Sequence, residues 1–488
     1  MLHQSLATIN SAPPKNYTKQ AWLIIGAWSV FLALCLLGRG GKLLVPLFPL
    51  GSVAVGLFLY FRTPVLYVGY VWWVYFLGSL VRRIIDQQSG YITPGRWGTT
   101  SLLVTSICLI TLVKYLPKAS RQGGMPFLLS LLAVVYGILV GLINGRPDLQ
   151  FFIGAMGWFT PIVFSFHLFV NWQLYPQYRQ VMQRTFVLGV LVMGGYGIFQ
   201  YCTAPEWDRF YLNNLNASSF GNPFPFEIRV FGTQSSPQDF ANTMMAGLIL
   251  IFTSNQQLRF AASGAGYITF LLTAARSAWL GWVASLLAFL PSLSLKFQMR
   301  LILTLLLMAL LVVPLATIEP FATPIQERLE SLSAAQSGDD FSLQERTQGY
   351  EDLLAIALTE VVGSGIGGRG RALPASVIGG SDSGILPLLF TLGWAGTLPY
   401  LMGIVLIVYH LFQTKESRND PFSSASRAIV FGSISQVWLN NIFAGDVAMI
   451  LWSFLGIGMA ASHYYSRQRR IRATGYIATH SSPDTLLT

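Results

Sequence analysis

The feature that most constrains this chain is a series of apolar runs, each long enough to cross a membrane and separated from the next by a short polar stretch. The runs recur from Ala21 to Tyr464. A hydrocarbon core requires roughly 17 to 25 residues of apolar helix per crossing. The sequence therefore predicts an all-α fold, a polytopic transmembrane helix bundle of about 12–14 helices.

Composition and charge exclude several other classes of protein. Only 10% of the 488 residues are charged, against about a quarter in an ordinary soluble domain. The net charge of +11 is explained by basic residues that flank membrane helices on the cytoplasmic side, so no nucleic-acid partner is expected. Cys35, Cys108 and Cys202 lie in or beside apolar runs at unrelated spacings, which predicts buried thiols rather than disulfides or metal ligands.

The candidate spans are 21–37, 43–60, 64–81, 98–113, 125–143, 151–171, 186–203, 240–255, 262–292, 299–317, 384–412, 425–444 and 447–464. Basic residues near both termini predict that both ends are cytoplasmic. No small-residue cleavage site precedes the first run, which is therefore expected to remain as a signal anchor. Arg82, Arg83 and Arg96 fall outside in this topology and violate the positive-inside bias.

This topology divides the chain into three regions. Residues 1–203 form N-terminal transmembrane helices, residues 204–464 carry the features expected to be functional, and residues 465–488 form a cytoplasmic tail. The middle region contains two long loops, at 204–239 and 319–383, that we expect on the extracytoplasmic face, the second of them partly helical.

The run 262–292 is too long for one simple crossing. As a single helix it would be about 46 Å long, against a core of roughly 30 Å. Since basic residues flank it on both sides, we expect it to cross outward and return, with Arg276 near the turn. Ionisable residues inside membrane segments are costly and usually mark functional sites, although Arg276 could also be a helix-end arginine that reaches the headgroups.

The second long loop contains a predicted helix. Ser342 and Glu345 form a capping box, and a helix is expected to run to about Glu360. Its apolar face includes Arg346, followed by Tyr350 and Ala357 at helical spacing. Arg346 could hold a phosphate through its guanidinium, or could extend its stem over apolar surface with its charge in water.

Three other positions have both a functional and a structural interpretation. Arg229 could join the other cations or pair with Glu227 or Asp239. Asp239 is expected to cap the next helix. Asp382 could be a general base for a sugar hydroxyl or could cap the helix that follows it.

A glycine-rich stretch begins at Gly363 and includes Arg369 and Arg371. Its backbone N–H groups could form an anion-binding nest, or the stretch could be a flexible turn. Every histidine falls at a terminus or on the cytoplasmic side, which excludes histidine from an external mechanism in this topology. No metal-ligand spacing and no nucleotide motif are present, so neither a metal nor a cofactor is expected.

Four stretches resemble the O-antigen ligase and O-antigen polymerase superfamily, membrane glycosyltransferases of the GT-C class. They are RVFGTQSSPQDFA from Arg229, TAARSAWL around Arg276, QERTQGYEDLLAIALTEVVGSGIGG around Arg346, and SDSGILPLLFTLGWAG from Ser381. The chain departs from the family's pattern at four positions, namely Gln238 for asparagine, Ala275 for serine, Tyr350 for tryptophan, and Asp382 where ligases have histidine. The last departure favours a polymerase or an atypical ligase.

The resemblance implies a bacterial inner-membrane enzyme whose active site faces the periplasm or exterior. Arg276 and Arg346 would bind the diphosphate of an undecaprenyl-linked oligosaccharide, and Asp382 would accept the proton of a saccharide acceptor. Arg229, Tyr350, Arg369 and Arg371 would contribute to substrate binding, and stabilisation of the departing diphosphate would make a metal unnecessary. The product would be exopolysaccharide or lipopolysaccharide O-antigen.

Two other classes fit many helices and a cationic pocket. A flippase for lipid-linked oligosaccharides, or another polysaccharide transporter, should have broken or polar helices near the midplane and often two related halves. A signalling or structural membrane protein would leave the placement of Arg276 unexplained.

Overall fold

The computed structural model describes residues 15–91, 99–120, 123–145, 147–215, 218–292, 354–367, 383–413 and 420–480, with isolated positions at 298, 299, 302 and 306. Within these ranges the regular elements are helices, and the one β-type contact is an isolated antiparallel bridge between Gly221 and Ile228. The predicted all-α fold is confirmed.

The helices are α1 (Lys15–Leu37), α2 (Gly41–Arg62), α3 (Pro64–Ser89), α4 (Thr100–Ser106), α5 (Leu109–Ala119), α6 (Met125–Asn144), α7 (Leu149–Val170), α8 (Tyr175–Thr203), α9 (Glu206–Leu215), α10 (Pro237–Ile251), α11 (Arg259–Leu272), α12 (Arg276–Phe289), α13 (Ile385–Gln413), α14 (Pro421–Ile434) and α15 (Gly445–His480). Residues 354–359 are also helical, at the predicted end of the loop helix.

Eight of the described helices are long and apolar enough to cross a membrane, or nine if α4 and α5, which meet at 42°, form one broken span. The chain is a multi-pass helical membrane protein. The prediction of 12–14 crossings also counted α10, α11, α12 and α14, but these have only 14 or 15 residues each. A helix of that length is about 21 Å long, which is shorter than a full crossing. The predicted span 299–317 lies almost entirely outside the described residues.

The centre of the bundle is α15. In its membrane window 89% of the residues are buried, compared with 6% for α1 at the periphery. α15 packs against α7, α6 packs against α13, α8 against α11, and α12 against α14. A helix that is apolar on all sides, as α15 is from Val447 to Ala461, is expected in the interior of such a bundle.

Small residues bring the paired helices together. A Cβ on Gly432 of α14 would lie 2.3 Å from the carbonyl oxygen of Gly281 of α12. A Cβ on Gly403 of α13 would lie 2.4 Å from the Pro126 carbonyl oxygen of α6. Because lipid gives little hydrophobic drive for helix association, membrane helices rely on such close backbone approach.

Candidate active site

Arg276 is the first residue of α12, immediately after a three-residue break that separates it from α11. Ala274 in the break has φ +49°, a left-handed conformation that is uncommon for a residue with a side chain. Trp282 of α12 contacts Tyr267 and Phe270 of α11, with ring centroids 5.8 and 6.0 Å apart. Two collinear helices could not bring these rings together, so the chain bends at this break. The break lies within the run 262–292, whose length is too great for one simple crossing; the return of the chain to the same side stays a prediction.

Arg229 lies behind this turn and holds it in place. Its Nε donates to the Thr273 carbonyl at 3.0 Å, and another guanidinium nitrogen donates to the Ala274 carbonyl at 3.3 Å. A third bond reaches the Ser219 carbonyl at 2.6 Å. The carbonyls left free by the end of α11 are therefore satisfied by an arginine of the first long loop. Arg229 therefore stabilises the turn that precedes Arg276.

A cavity of about 550 Å³, lined by both polar and apolar side chains, opens beside this turn. Its walls come from the C-terminal half of α3 and from the N-terminal ends of α4, α7, α10 and α15. Gln238 of the cavity wall donates to the hydroxyl of Ser277, the residue after Arg276, at 2.8 Å. Arg276 thus stands next to the cavity rather than in its wall.

Two arginines of α3 line the cavity, and both are paired with carboxylates. Arg83 is 2% exposed and lies 3.0 Å from Oδ1 of Asp208, which is fully buried. Arg82 lies 3.3 Å from Asp86. The predicted topology, which places both arginines outside, is therefore compatible with their charge, since arginines neutralised by carboxylates are not the basic residues that set orientation.

The Arg83–Asp208 pair also shapes the first long loop. Arg83 donates to the Gln234 carbonyl at 2.7 Å and to the Gly232 carbonyl. Asp208 accepts from Gln200 at 2.7 Å, and the other end of that amide accepts from the Gly232 N–H at 2.8 Å. The network fixes the segment 231–234 that leads into α10.

Tyr211 of α9 closes the same side of the cavity. Its hydroxyl donates to the Ser235 carbonyl at 2.9 Å. Burial raises the pKa of Tyr211, while Arg83 and Arg82 act in the opposite direction. The phenol therefore remains protonated at neutral pH and keeps its donor role.

Two carboxylates face the cavity without an ion pair among the described residues. Asp446 is in the first turn of α15, and Asp239 is in the first turn of α10. Both side chains line the same cavity. The expectation that Asp239 caps α10 is wrong, because Ser236 is the N-cap and accepts from the Asp239 N–H at 3.1 Å. The Asp239 side chain instead accepts from the hydroxyls of Ser235 and Ser236.

The glycine-rich stretch after the loop helix packs its backbone into the bundle. α13 is broken at Gly393, which has φ 59° and ψ −178°. The N–H groups of Ser364 and Gly365 donate to the carbonyls of Phe390 and Thr391 at the break, at 2.8 and 2.9 Å. In return, Trp394 donates to the Glu360 carbonyl at 3.0 Å.

A neighbouring contact adds α6 to this arrangement. The Ile366 N–H donates to the Gly137 carbonyl at 2.8 Å. The N–H groups of 364–366 are therefore used within the protein and are not available to an anion. Residues 364–366 therefore form neither an anion-binding nest nor a flexible turn. We call the segment 360–366, which contacts both α6 and α13, the loop insert.

The long loop returns to the bundle beside the cavity. The Gly384 N–H donates to the Val437 carbonyl at 2.8 Å, and a Cβ on Gly384 would lie 2.7 Å from the Asn440 carbonyl oxygen. Asn440 and Asn441 line the cavity. Asp382 itself lies outside the described residues, as do Arg346, Tyr350, Arg369 and Arg371.

Comparison with known families bears directly on this arrangement. The sequence profile described as O-antigen ligase matches residues 260–401, which include the α11–α12 turn, the loop insert and the broken half of α13. The match covers less than a third of the chain and supports its resemblance to the O-antigen ligase and polymerase superfamily. It indicates a membrane protein of the O-antigen ligase type, similar to glycosyltransferases that act as ligases or polymerases. A comparison with curated proteins finds no match.

Several features of this arrangement were not predicted from the sequence. The motif from Arg229 lies outside the matched range, yet Arg229 contacts the turn within it. Asp446 opens an apolar run and carries no local motif that would single it out. The Arg82–Arg83 pair did give a signal, namely two cations on the wrong side of the predicted topology. The three cysteines are free thiols, as predicted, with Cys108 buried and the other two partly buried.

Proposed function

We propose that this chain transfers a glycan from an undecaprenyl-diphosphate-linked donor to a saccharide acceptor on the extracytoplasmic face of a bacterial inner membrane. The observation that carries the proposal is the position of Arg276, at the start of α12 and beside a cavity at one end of the bundle. The family match supports a lipid-linked saccharide as substrate.

The N-terminal end of α12 suits a diphosphate. A helix N-terminus carries a partial positive charge and free N–H groups, which together favour anions. The first turn of α12 contains no acidic residue, whereas α10 and α15 carry Asp239 and Asp446 in theirs. Arg276 would add a guanidinium that can hold phosphate oxygens in a bidentate manner.

The transfer step needs stabilisation of the leaving group and removal of one proton. An acceptor hydroxyl attacks the anomeric carbon of the donor sugar, and the bond between that carbon and the diphosphate oxygen breaks. The diphosphate leaves with the electron pair, and Arg276 and Arg346 stabilise its charge. Asp382 accepts the hydroxyl proton, and Tyr350, Arg369 and Arg371 contact the substrate. No metal takes part in this scheme.

The distribution of charge supports an extracytoplasmic site. Four arginines lie at the end of the bundle opposite the cavity, Arg259 at the start of α11 and Arg467, Arg469 and Arg470 in the C-terminal half of α15. Cytoplasmic ends of membrane proteins carry such an excess. The cavity end would then face the periplasm or the exterior.

A lipid-linked oligosaccharide flippase is the competing function. Transporters use broken helices to line a substrate site near the midplane. The break in α13 is instead filled by the loop insert, whose N–H groups bond the exposed carbonyls. This arrangement favours an enzyme over a transporter.

Substitution of Arg276 tests the proposal. Arg276→Ala should abolish polymer or ligated glycan in a strain that depends on this chain, while membrane insertion remains normal. Arg276→Lys should restore little activity, because an ammonium replaces the charge but not the planar fork. Arg184→Ala, at an exposed arginine of α8, is the matched control and should retain wild-type product. Undiminished product from Arg276→Ala would refute the assignment, and full activity of the lysine variant would reduce the role to simple charge.

A further inference from the structure

We propose that the cavity between α3, α7, α10 and α15 is the binding site for the acceptor saccharide, separate from the diphosphate site at Arg276. The inference rests on the proposed function and assigns a substrate to a part of the site that the family match does not cover. The cavity's lining lies outside residues 260–401.

The side chains that face the cavity are those that proteins use for sugars. Carboxylates, amides and hydroxyls can bond the alternating donors and acceptors of a sugar ring. The wall provides all three types, in Asp239, Asp446, Asn440, Asn441, Gln238, Ser235 and Ser236. Trp158 and Tyr75 add aromatic surface, on which the C–H face of a sugar can pack. The volume of about 550 Å³ is within the range of about 300–1,000 Å³ that is typical of small-molecule pockets.

The charges in the wall argue against the diphosphate as occupant. Arg82 and Arg83 are matched by Asp86 and Asp208. The described part of the wall therefore offers a diphosphate no cation beyond these two paired arginines. A neutral, hydroxyl-rich ligand needs none.

The charges at the helix N-termini also distinguish the acceptor site from the diphosphate site. The positive ends of α10 and α15 are met by their own first-turn carboxylates, and that of α7 by its N-cap, Asp148. The helix α4 has no first-turn acid, but it has only seven residues. The adjacent end of α12 begins with an arginine and lacks a first-turn acid. Since Gln238 joins the cavity wall to Ser277 beside Arg276, a sugar in the cavity would present a hydroxyl towards the donor.

Asn440 provides an independent indication of a missing ligand. Its Nδ2 is buried and has no hydrogen-bond partner among the described residues. An unsatisfied buried donor costs stability, and such groups in native proteins call for an explanation. Asn440 lines the cavity, and rotation of its side chain towards the cavity would bring the nitrogen to a ligand oxygen.

The test measures sugar binding directly, without the transfer reaction. Purified wild-type protein in lipid nanodiscs is titrated with free hexoses, N-acetylhexosamines and hexuronic acids, with saturation-transfer NMR as the readout. At least one neutral sugar should bind, and Asp239→Asn and Asn440→Ala should each weaken it about tenfold or more. Asp148→Asn, which changes an exposed carboxylate at the N-cap of α7 and keeps a good cap, should bind as the wild type does.

Two further measurements, the melting temperature without ligand and competition with pyrophosphate, make each outcome decisive. Without ligand, Asn440→Ala should melt no lower than wild type, because it removes an unsatisfied donor; a much lower melting temperature would show that Asn440 has a structural role instead. Inorganic pyrophosphate should not displace the sugar, and its binding should fall with Arg276→Ala but not with Asp239→Asn. Competition between the two ligands, or loss of pyrophosphate binding in Asp239→Asn, would overturn the assignment, as would absence of sugar binding.

The same measurements separate this inference from the proposed function. If neutral sugars bind in the cavity while no glycan transfer is ever observed, the binding site stands and the enzyme assignment fails. If transfer occurs but the apparent KM for acceptor is unchanged in Asp239→Asn and Asn440→Ala, the enzyme assignment stands and the acceptor site is elsewhere.

Discussion

At the scale of single residues, the site depends on three arginines that have different roles. Arg83 is buried with Asp208 and fixes the loop that leads into α10. Arg229 bonds the carbonyls of the turn before α12. Arg276 begins α12 itself. The first two are positioning residues, and the third is the one we assign to the donor diphosphate.

Removal of Arg83 should destabilise the protein strongly. Arg83→Ala leaves the Asp208 carboxylate buried without its cation, which typically costs about 3–5 kcal/mol. We expect a clearly lower melting temperature in detergent, together with faster proteolysis of the 218–236 loop. Arg184→Ala, at an exposed position, should melt within a degree or two of wild type. An unchanged melting temperature for Arg83→Ala would show that the network does not hold the loop.

Arg229 should affect turnover more than binding. Arg229→Ala removes charge-assisted bonds to Thr273 and Ala274, so the Arg276 turn should be populated less often in its active geometry. We expect kcat to fall about tenfold or more with little change in the KM for donor. A rise in donor KM at constant kcat would instead indicate direct contact with the donor.

At the scale of elements, the broken helix α13 and the loop insert form one unit. The break at Gly393 exposes carbonyls that the insert satisfies, and the insert donates through N–H groups that would otherwise be unpaired. This unit ties the returning end of the long loop to α6 and α13. The loop that carries Arg346 and Asp382 in the sequence is thus anchored on both sides of residues 368–382.

Gly393 should therefore be intolerant of substitution. Its φ and ψ are almost exclusive to glycine, and a Cβ would lie 2.4 Å from the Val361 carbonyl oxygen. Gly393→Ala should cost about 1–3 kcal/mol from the backbone conformation alone and should lower activity by loosening the insert. The matched control is Gly195→Ala in α8, where nothing lies within 4 Å of the added Cβ, and a slight gain in stability is expected. Equal melting temperatures for the two variants would contradict the role of the break.

At the scale of the whole molecule, the sequence predicts the helices better than the contacts between them. Apolar runs locate the long helices, and the excess length of 262–292 predicts the break at Arg276. The helices α3, α8 and α15 extend 8, 11 and 16 residues beyond the predicted spans. The Arg83–Asp208 pair joins residues far apart in the chain, so no local pattern reports it. The break in α13 depends on a backbone segment from another part of the chain. The cavity is assembled from many helix ends in the same way.

The orientation of the bundle can be tested by labelling. In a background with the three native cysteines replaced by serine, Asn214→Cys in α9 and Gln257→Cys before α11 place exposed thiols at opposite ends of the bundle. A membrane-impermeant maleimide should label the first in intact spheroplasts and the second only after lysis. The reverse pattern would place the cavity on the cytoplasmic side.

The central claim is that this molecule transfers glycan from a lipid diphosphate, with Arg276 stabilising the leaving group. The most direct measurement reconstitutes the purified protein with lipid-linked repeat units and follows release of undecaprenyl diphosphate together with growth of the glycan. We predict that wild-type protein releases one diphosphate for each transfer, and that Arg276→Ala releases none at unchanged protein level. Release at the wild-type rate by Arg276→Ala, or movement of intact donor across the bilayer without release, would contradict it.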